Sequence, residues 1–247
     1  MNNNLITFEE SNSVTSELFK SLRTNVQFAL KPEDKTILVT SASSGDGKSF
    51  VCSNLATTFT QIGKKVIILD LDLRKRTQHK IFDVANSTGM SILLNDDNFT
   101  AGVELDSILV KFVKETLIKN LYLIPAGPIP HNPAEIIMNG NLKKIIEHLE
   151  TIYDYVFIDA PPINVVTDTA IIARYIDNVI LVASVGRTQV RALKNAQKTL
   201  IKSKANLLGV VANRVPIHKR SYKNNGYQYE YTNNLPTEIK KPKKEKE

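Results

Sequence analysis

Apolar runs of strand length recur along the chain with helix-patterned segments between them, and this alternation restricts the possible architectures more than any other feature. The runs are TILVTS (36–41), VIILD (66–70), NLYLIPA (120–126), YDYVFIDA (153–160), NVILVAS (178–184) and LLGVVAN (207–213). A strand that is apolar on both faces needs cover on both, as in a parallel sheet between two layers of helices. Helix signals fall where such a sheet needs its crossovers. Gly63 follows SNLATTFTQI as a C-terminal cap, and Asn132-Pro133 sets a capping side chain and an N1 proline before AEIIMNGNLKKIIEHLE. Residues 11–30 carry Val14, Leu18, Leu22, Val26 and Phe28 at near-helical spacing, an amphipathic helix ahead of the first strand. The expected fold class is α/β, a doubly wound, mostly parallel sheet flanked by helices.

Between the first strand and the next helix stands A-S-S-G-D-G-K-S, residues 42–49, a P-loop pattern with alanine in the first glycine position. In that setting the backbone N–H groups of residues 45–49 converge on phosphate oxygens at a helix N-terminus, where the helix dipole also favours an anion. Gly45 and Gly47 permit the tight curve, Lys48 reaches the β and γ phosphates, and the Ser49 hydroxyl ligates Mg²⁺. The expected ligands are ATP and Mg²⁺. Such a site also needs acids. VFIDAPP ends a strand on Asp159, a Walker B carboxylate for the metal. VIILDLDLRKR ends another strand, and alternation puts Asp70 and Asp72 on one side with Leu71 on the other. Carboxylates so close need compensating charge, which the metal, Lys48 and Arg74 are expected to supply.

These motifs resemble those of the bacterial tyrosine kinases of capsular and exopolysaccharide assembly, a branch of the P-loop ATPases. SASSGDGKS matches that family's Walker A, VIILDLDLRKR its additional Walker A′ and VFIDAPP its Walker B. PAGPIPHNPAEII (125–137) is similar to its G-P-x-P-x-N-P-x-E stretch, and VVTDTAIIA to the segment that follows Walker B. The resemblance covers almost the whole chain and implies a P-loop fold of the septum-positioning and partition ATPase branch. It implies transfer of the ATP γ-phosphate to tyrosine, with Lys48, Asp70, Asp72 and Asp159 catalytic. The metal is expected on Ser49, Asp72 and Asp159, and Asp70 or Asp72 can act as base, with Asp70 placed in that role and Asp72 mainly on the metal. The implied ATP site comprises Ser44, Gly45, Asp46, Gly47, Lys48, Ser49, Phe50, Asn213 and Arg214. Tyr222, Tyr227, Tyr229 and Tyr231, half of the chain's eight tyrosines, match the family's C-terminal autophosphorylation cluster, which is often modified from a neighbouring subunit. Glu17, Lys20 and Arg23 stand in its E-x-x-R-x-x-R ring-forming motif, with lysine in place of the first arginine. Further departures are Ser44 and Arg76, where the family often has proline. A membrane adaptor that activates the kinase, a homo-oligomeric ring, a phosphotyrosine phosphatase and a role in regulating polysaccharide synthesis and export are the associated expectations.

Composition narrows the setting. The 247 residues, 42% of them hydrophobic, suffice for one large domain. The expected division is residues 1–30 for oligomerisation, 31–215 for the kinase domain and 216–247 for a polar, basic, tyrosine-rich tail. The chain lacks an apolar run of membrane-spanning length and the charged-then-apolar start of a secretory signal. Its single cysteine, Cys52, reads as a small core residue in a reducing compartment. The expected location is therefore cytoplasmic, with recruitment to the inner membrane face by the adaptor. The net charge of +7 gathers toward KKPKKEKE without any nucleic-acid-binding motif, so nucleic acid is not an expected partner. The rival reading is a septum-positioning or partition ATPase switch without kinase activity. Those proteins resemble K-G-G-x-G-K-T, and Ser43 stands here in place of their first lysine.

Overall fold

The computed structural model describes residues 5–96, 104–139 and 141–216. Through Arg214 they belong to one compact unit. Helices α1 (Ile6–Glu9) and α2 (Val14–Ala29) precede β1 (Thr36–Ser41), α3 (Lys48–Thr60), β2 (Val66–Asp70), α4 (Gln78–Ile81), α5 (Met90–Leu93) and α6 (Leu105–Leu109). The chain continues through β3 (Lys114–Glu115), β4 (Leu121–Ile124), α7 (Pro133–Met138), α8 (Asn141–Ile152), β5 (Tyr155–Asp159) and α9 (Asp168–Ile172). A 3₁₀ turn at Ala173–Tyr175, β6 (Asn178–Ser184), α10 (Val190–Lys202) and β7 (Leu207–Asn213) complete it. The sheet order is β3-β4-β2-β5-β1-β6-β7, parallel throughout except for the short antiparallel edge strand β3.

Each expected strand is present; those inside the sheet alternate their side chains between two buried layers, whereas the edge strand β7 has no buried residue and leaves Val210 exposed. Leu38, Ile67, Leu69, Val156 and Ile158 join one core. Ile37, Val39, Val66, Ile68 and Phe157 join the other, beneath α2 and α3. All of α3 except Phe50 is buried. Its internal polar groups are satisfied locally, Ser53 Oγ donating to Ser49 O at 2.8 Å and Thr57 Oγ1 to Ser53 O at 2.8 Å. Thr7 of α1 donates from its backbone N–H to Asn54 Oδ1 at 3.1 Å. Cys52 is fully buried, and burial lifts its thiol well above the ordinary range, so it behaves as the core residue expected.

Three details differ from the sequence pattern. Helix α2 buries Ser16, Phe19 and Val26 while Val14, Leu18 and Phe28 are exposed, because the face it turns inward meets α3 rather than the sheet. The expected single helix after Pro133 is two, α7 and α8, and the Asn139 and Asn141 side chains both donate to Leu94 O between them. Pro133 does stand at N1, but the Asn132 side chain makes no capping bond. Gly63 closes the turn after α3 at φ 81°, its N–H donating to Thr60 O.

Register positions the chemistry. β1 lies between β5 and β6, and the loop leaving its C-terminal end enters α3 at the crevice where doubly wound sheets bind ligands. The β2–β5 pairing sets Asp70 directly opposite Asp159.

Candidate active site

A cavity of about 350 Å³ opens beside the first turn of α3, lined by Ser44, Gly45, Gly47, Lys48, Ser49 and Phe50 of the P-loop segment and by Asp72, Arg74, Pro161 and Arg214 among others. The first-turn N–H groups of a helix have no intrahelical acceptor, and here no side chain caps them. Gly45 and Gly47 have φ of 86° and 91°, the left-handed region the curve requires. Gly47 is doubly constrained, since a Cβ there lies 2.0 Å from Asn213 Nδ2. Phe50 lines the cavity while its ring meets Phe19 of α2 edge-on at 5.8 Å.

Lys48 Nζ joins the motifs. It lies 2.8 Å from Asp72 Oδ2, 3.1 Å from Asp159 Oδ1 and 3.1 Å from Ser49 Oγ. Burial alone pushes this amine down, but Asp159 and Asp72 outweigh it, and its pKa ends above the ordinary value. Its neighbours are three hard oxygen donors drawn from Walker A, A′ and B around one cationic point. That donor set suits Mg²⁺, which takes one or two carboxylates, a hydroxyl and phosphate oxygens. The residues therefore fit the metal and the nucleotide that the P-loop pattern implies.

The alternation expected for the Walker A′ strand is present. Leu71 and Leu73 enter the core while Asp70 and Asp72 lie on the opposite side. The segment after Asp72 wraps back over both acids. Lys75 N donates to Asp72 Oδ1 at 2.8 Å, and the backbone N–H groups of Thr77 and Gln78 donate to Asp70 Oδ2 at 3.2 and 3.1 Å. Asp70 Oδ1 is buried without a hydrogen-bond partner among the described residues. Burial, reinforced by Asp159, raises Asp70 to about 8. Arg74 does not bond the acid pair. Its Nε and Nη2 clamp Asp168 at the start of α9, at 2.9 and 3.3 Å, so direct compensation within the cluster comes from Lys48.

Two residues, Gln78 and Thr188, escaped the sequence reading. Gln78, fully buried, donates from Nε2 to Asp159 Oδ2 at 2.8 Å and to Ser49 O at 3.2 Å. Nothing in the polar stretch RTQHK distinguishes it. The Asp46 side chain points away from the cavity. It accepts from Ser43 N at 2.9 Å and from Thr188 Oγ1 at 2.7 Å, while Thr188 Oγ1 accepts from Ser184 N at 2.7 Å. Asn213 Nδ2 donates to Asp46 O at 2.9 Å, and Asn213 Oδ1 accepts from Arg214 N at 2.8 Å, holding Arg214 at φ 57° on the cavity wall. The expected nucleotide residues Asp46 and Asn213 thus brace the loop through side chains that the sequence pattern cannot orient.

Glu17, Lys20 and Arg23 lie apart, on α2. Lys20 Nζ pairs with Glu17 Oε1 at 2.7 Å, and an Nη of Arg23 donates to Thr58 O in the last turn of α3 at 2.8 Å. Tyr222, Tyr227, Tyr229 and Tyr231 fall outside the described residues.

Fold and site together define a doubly wound P-loop domain with a second acidic strand end beside its Walker B carboxylate. Residues 34–208 match the AAA domain family. The Staphylococcus aureus protein CapB is 38% identical over 229 residues, covering 92% of this chain and 94% of the relative. Tyrosine-protein kinase YwqD of Bacillus subtilis is 35% identical over 223 residues, covering 90% of each. The crystal structure of the chimerical protein CapA2B2 superposes with a TM-score of 0.78 at 34% identity, covering 88% of this chain and 92% of that one. The chain belongs to the AAA domain family and, within it, to the bacterial tyrosine kinases of the P-loop ATPase superfamily.

Proposed function

We propose that this protein is a tyrosine kinase that transfers the γ-phosphoryl group of ATP to tyrosine hydroxyls, first among them Tyr222, Tyr227, Tyr229 and Tyr231 of a neighbouring copy. Through that modification it regulates capsular or exopolysaccharide synthesis and export. The observation that carries the reading is the convergence of Ser49, Asp72 and Asp159 on Lys48 Nζ, which joins all three nucleotide motifs at one point.

In this reading the N–H groups of residues 45–49 bind the phosphates, and Lys48 leaves its carboxylates for the β and γ oxygens. Bound Mg²⁺ supplies charge neutralisation on the phosphates, with Ser49, Asp72 and Asp159 as its protein ligands. The tyrosine oxygen attacks the γ-phosphorus in line, the bond to the β–γ bridging oxygen breaks, and ADP carries that electron pair away. The tyrosine proton passes to the Walker A′ acids, of which Asp72 lines the cavity and the fully buried Asp70 serves only after losing the proton it carries in the nucleotide-free protein. A tyrosine with a pKa of about 10 needs such an acceptor at neutral pH.

The remaining assignments are part of the same proposal. Residues 1–30 serve subunit contact through Glu17, Lys20 and Arg23, residues 31–215 carry the chemistry and residues 216–247 the acceptors. The protein works in the cytoplasm as a homo-oligomeric ring, drawn to the membrane by an adaptor and reversed by a phosphotyrosine phosphatase. Among the described residues no helix is long and apolar enough to cross a membrane. The likeness to the CapA2B2 chimera supports an adaptor partner.

Purified protein incubated with Mg-ATP and mapped by mass spectrometry tests the core claim. Phosphotyrosine is expected in the tail, lost when all four tyrosines become phenylalanine and lost with nucleotide affinity in Lys48→Met. Adding the adaptor's cytoplasmic segment is expected to raise the rate. Release of inorganic phosphate with an unlabelled chain, activator present, overturns the kinase reading in favour of an ATPase switch.

A further inference from the structure

Gln78 touches all three nucleotide motifs without lining the cavity. Its backbone N–H serves Asp70, and its side-chain amide serves Asp159 of Walker B and the Ser49 carbonyl of Walker A. Both Nε2 donors are therefore spent, one on a carboxylate and one on the first turn of α3. The division of labour on Asp159 is specific. Oδ1 receives Lys48 and Oδ2 receives Gln78. Once phosphate draws Lys48 away, Oδ1 is released toward the point Lys48 occupied, while Oδ2 keeps its amide partner and the carboxylate keeps its plane. A neutral amide suits this position on electrostatic grounds. A carboxylate here adds a further negative charge beside Asp70, Asp72 and Asp159, and an ammonium competes with the metal for Asp159.

We propose that Gln78 is a positioning residue that fixes the Asp159 carboxylate and the Ser49 turn for the divalent cation. The strengthening that Mg²⁺ gives to nucleotide binding then depends on a side chain that contacts neither. The inference rests on the assignment of Asp159 to the metal. Groups that orient metal ligands commonly govern 10–100-fold in metal affinity, so about a tenfold effect is expected.

The experiment titrates a fluorescent ADP analogue into the full-length protein in EDTA and in excess Mg²⁺, taking the ratio of the two dissociation constants as the readout. In Gln78→Met, which keeps length and volume but removes both donors, that ratio is expected to fall about tenfold while affinity in EDTA stays within about twofold of wild type. Gln78→Glu keeps the shape and replaces the donor by repulsion, and the same selective loss is expected; it carries the test if the Met protein melts below the assay temperature. An unchanged ratio in a folded variant, or equal loss in EDTA and Mg²⁺, overturns the proposal, the latter because it marks a purely structural part. Asp159→Asn separates the two levels of inference. If it retains the wild-type ratio, the metal assignment itself fails; if it loses the ratio while the Gln78 variants keep it, only the positioning role fails.

Discussion

Asp70 and Lys48 bear opposite burdens of the same burial. Lys48 has two carboxylates within 3.1 Å and is held charged. Asp70 faces Asp159 across the strand pair, receives only backbone N–H groups and is raised to about 8, so the nucleotide-free protein carries a proton there at neutral pH. An unfolded aspartate titrates near 3.9, so between about pH 4 and 8 the folded chain binds a proton that the unfolded chain does not. Raising the pH across that window removes stability. The melting temperature of the nucleotide-free protein is expected to fall from pH 5.5 to 8 through this group, and Asp70→Asn, which keeps a neutral side chain at every pH, is expected to flatten the slope. Equal slopes in the two proteins, measured by scanning calorimetry, contradict a proton on Asp70. At this scale the sequence was partly legible. Lys48, Ser49, Asp72 and Asp159 come together as motif spacing implies, because strand register fixes where each strand ends. The parts that did not announce themselves are side chains that bond across motifs: Gln78, Thr188, the turn of Asp46 away from the cavity and the pairing of Arg74 with Asp168. Their cross-motif side-chain partners lie between 29 and 142 residues away in sequence, and no local pattern encodes such a pairing.

Among the elements, α3 carries the most connections, since its N-terminal turn faces the cavity and its sides touch the sheet on one face and α1 and α2 on the other. The inner strands were readable because burial on both faces leaves a continuous apolar run; β7 has such a run as well but lies at the sheet edge with no buried residue. Helix α2 was misread in its facing. Its spacing admits more than one apolar stripe, and the stripe actually buried includes Ser16, which donates to the carbonyl of Glu10 at 2.6 Å and needs no apolar neighbour. Arg23 then becomes a link between elements as well as a candidate for subunit contact. Its guanidinium meets the last-turn carbonyl of Thr58, where the α3 dipole favours a cation. Arg23→Ala is expected to cost about 1–2 kcal/mol through that charged hydrogen bond, a fall of about 2–8 °C in a domain of this size. Lys20→Ala, which loses a half-exposed pair with Glu17 and an exposed bond to Ser11 O, is expected to change melting by less than about 1–2 °C. Melting curves distinguish them, and sedimentation of the same proteins reads association separately. Equal losses for both variants remove the α2–α3 clamp from the account.

For the molecule as a whole, the question is whether a tail phosphorylates at its own cavity or at another's. Arg214 lines the cavity and Tyr222 is eight residues further along, a span of at most about 29 Å when extended. Length therefore forbids neither route, and the difference lies in molecularity. Transfer within one copy needs no encounter, whereas transfer between copies needs two chains to meet, so only the second rises with protein concentration; the resemblance to kinases often modified from a neighbouring subunit favours the second. Transfer between copies is the expected route. Mixing Lys48→Met protein that retains its tyrosines with active protein in which Tyr222, Tyr227, Tyr229 and Tyr231 are phenylalanine separates the two. Each partner alone is expected to stay nearly unlabelled. In the mixture the Lys48→Met chain is expected to gain phosphotyrosine at a rate that rises with total protein concentration, because the donor and acceptor must meet. A mixture as silent as its components, under conditions where wild type labels itself at a rate independent of concentration, assigns the reaction to a single copy and removes the functional need for a ring.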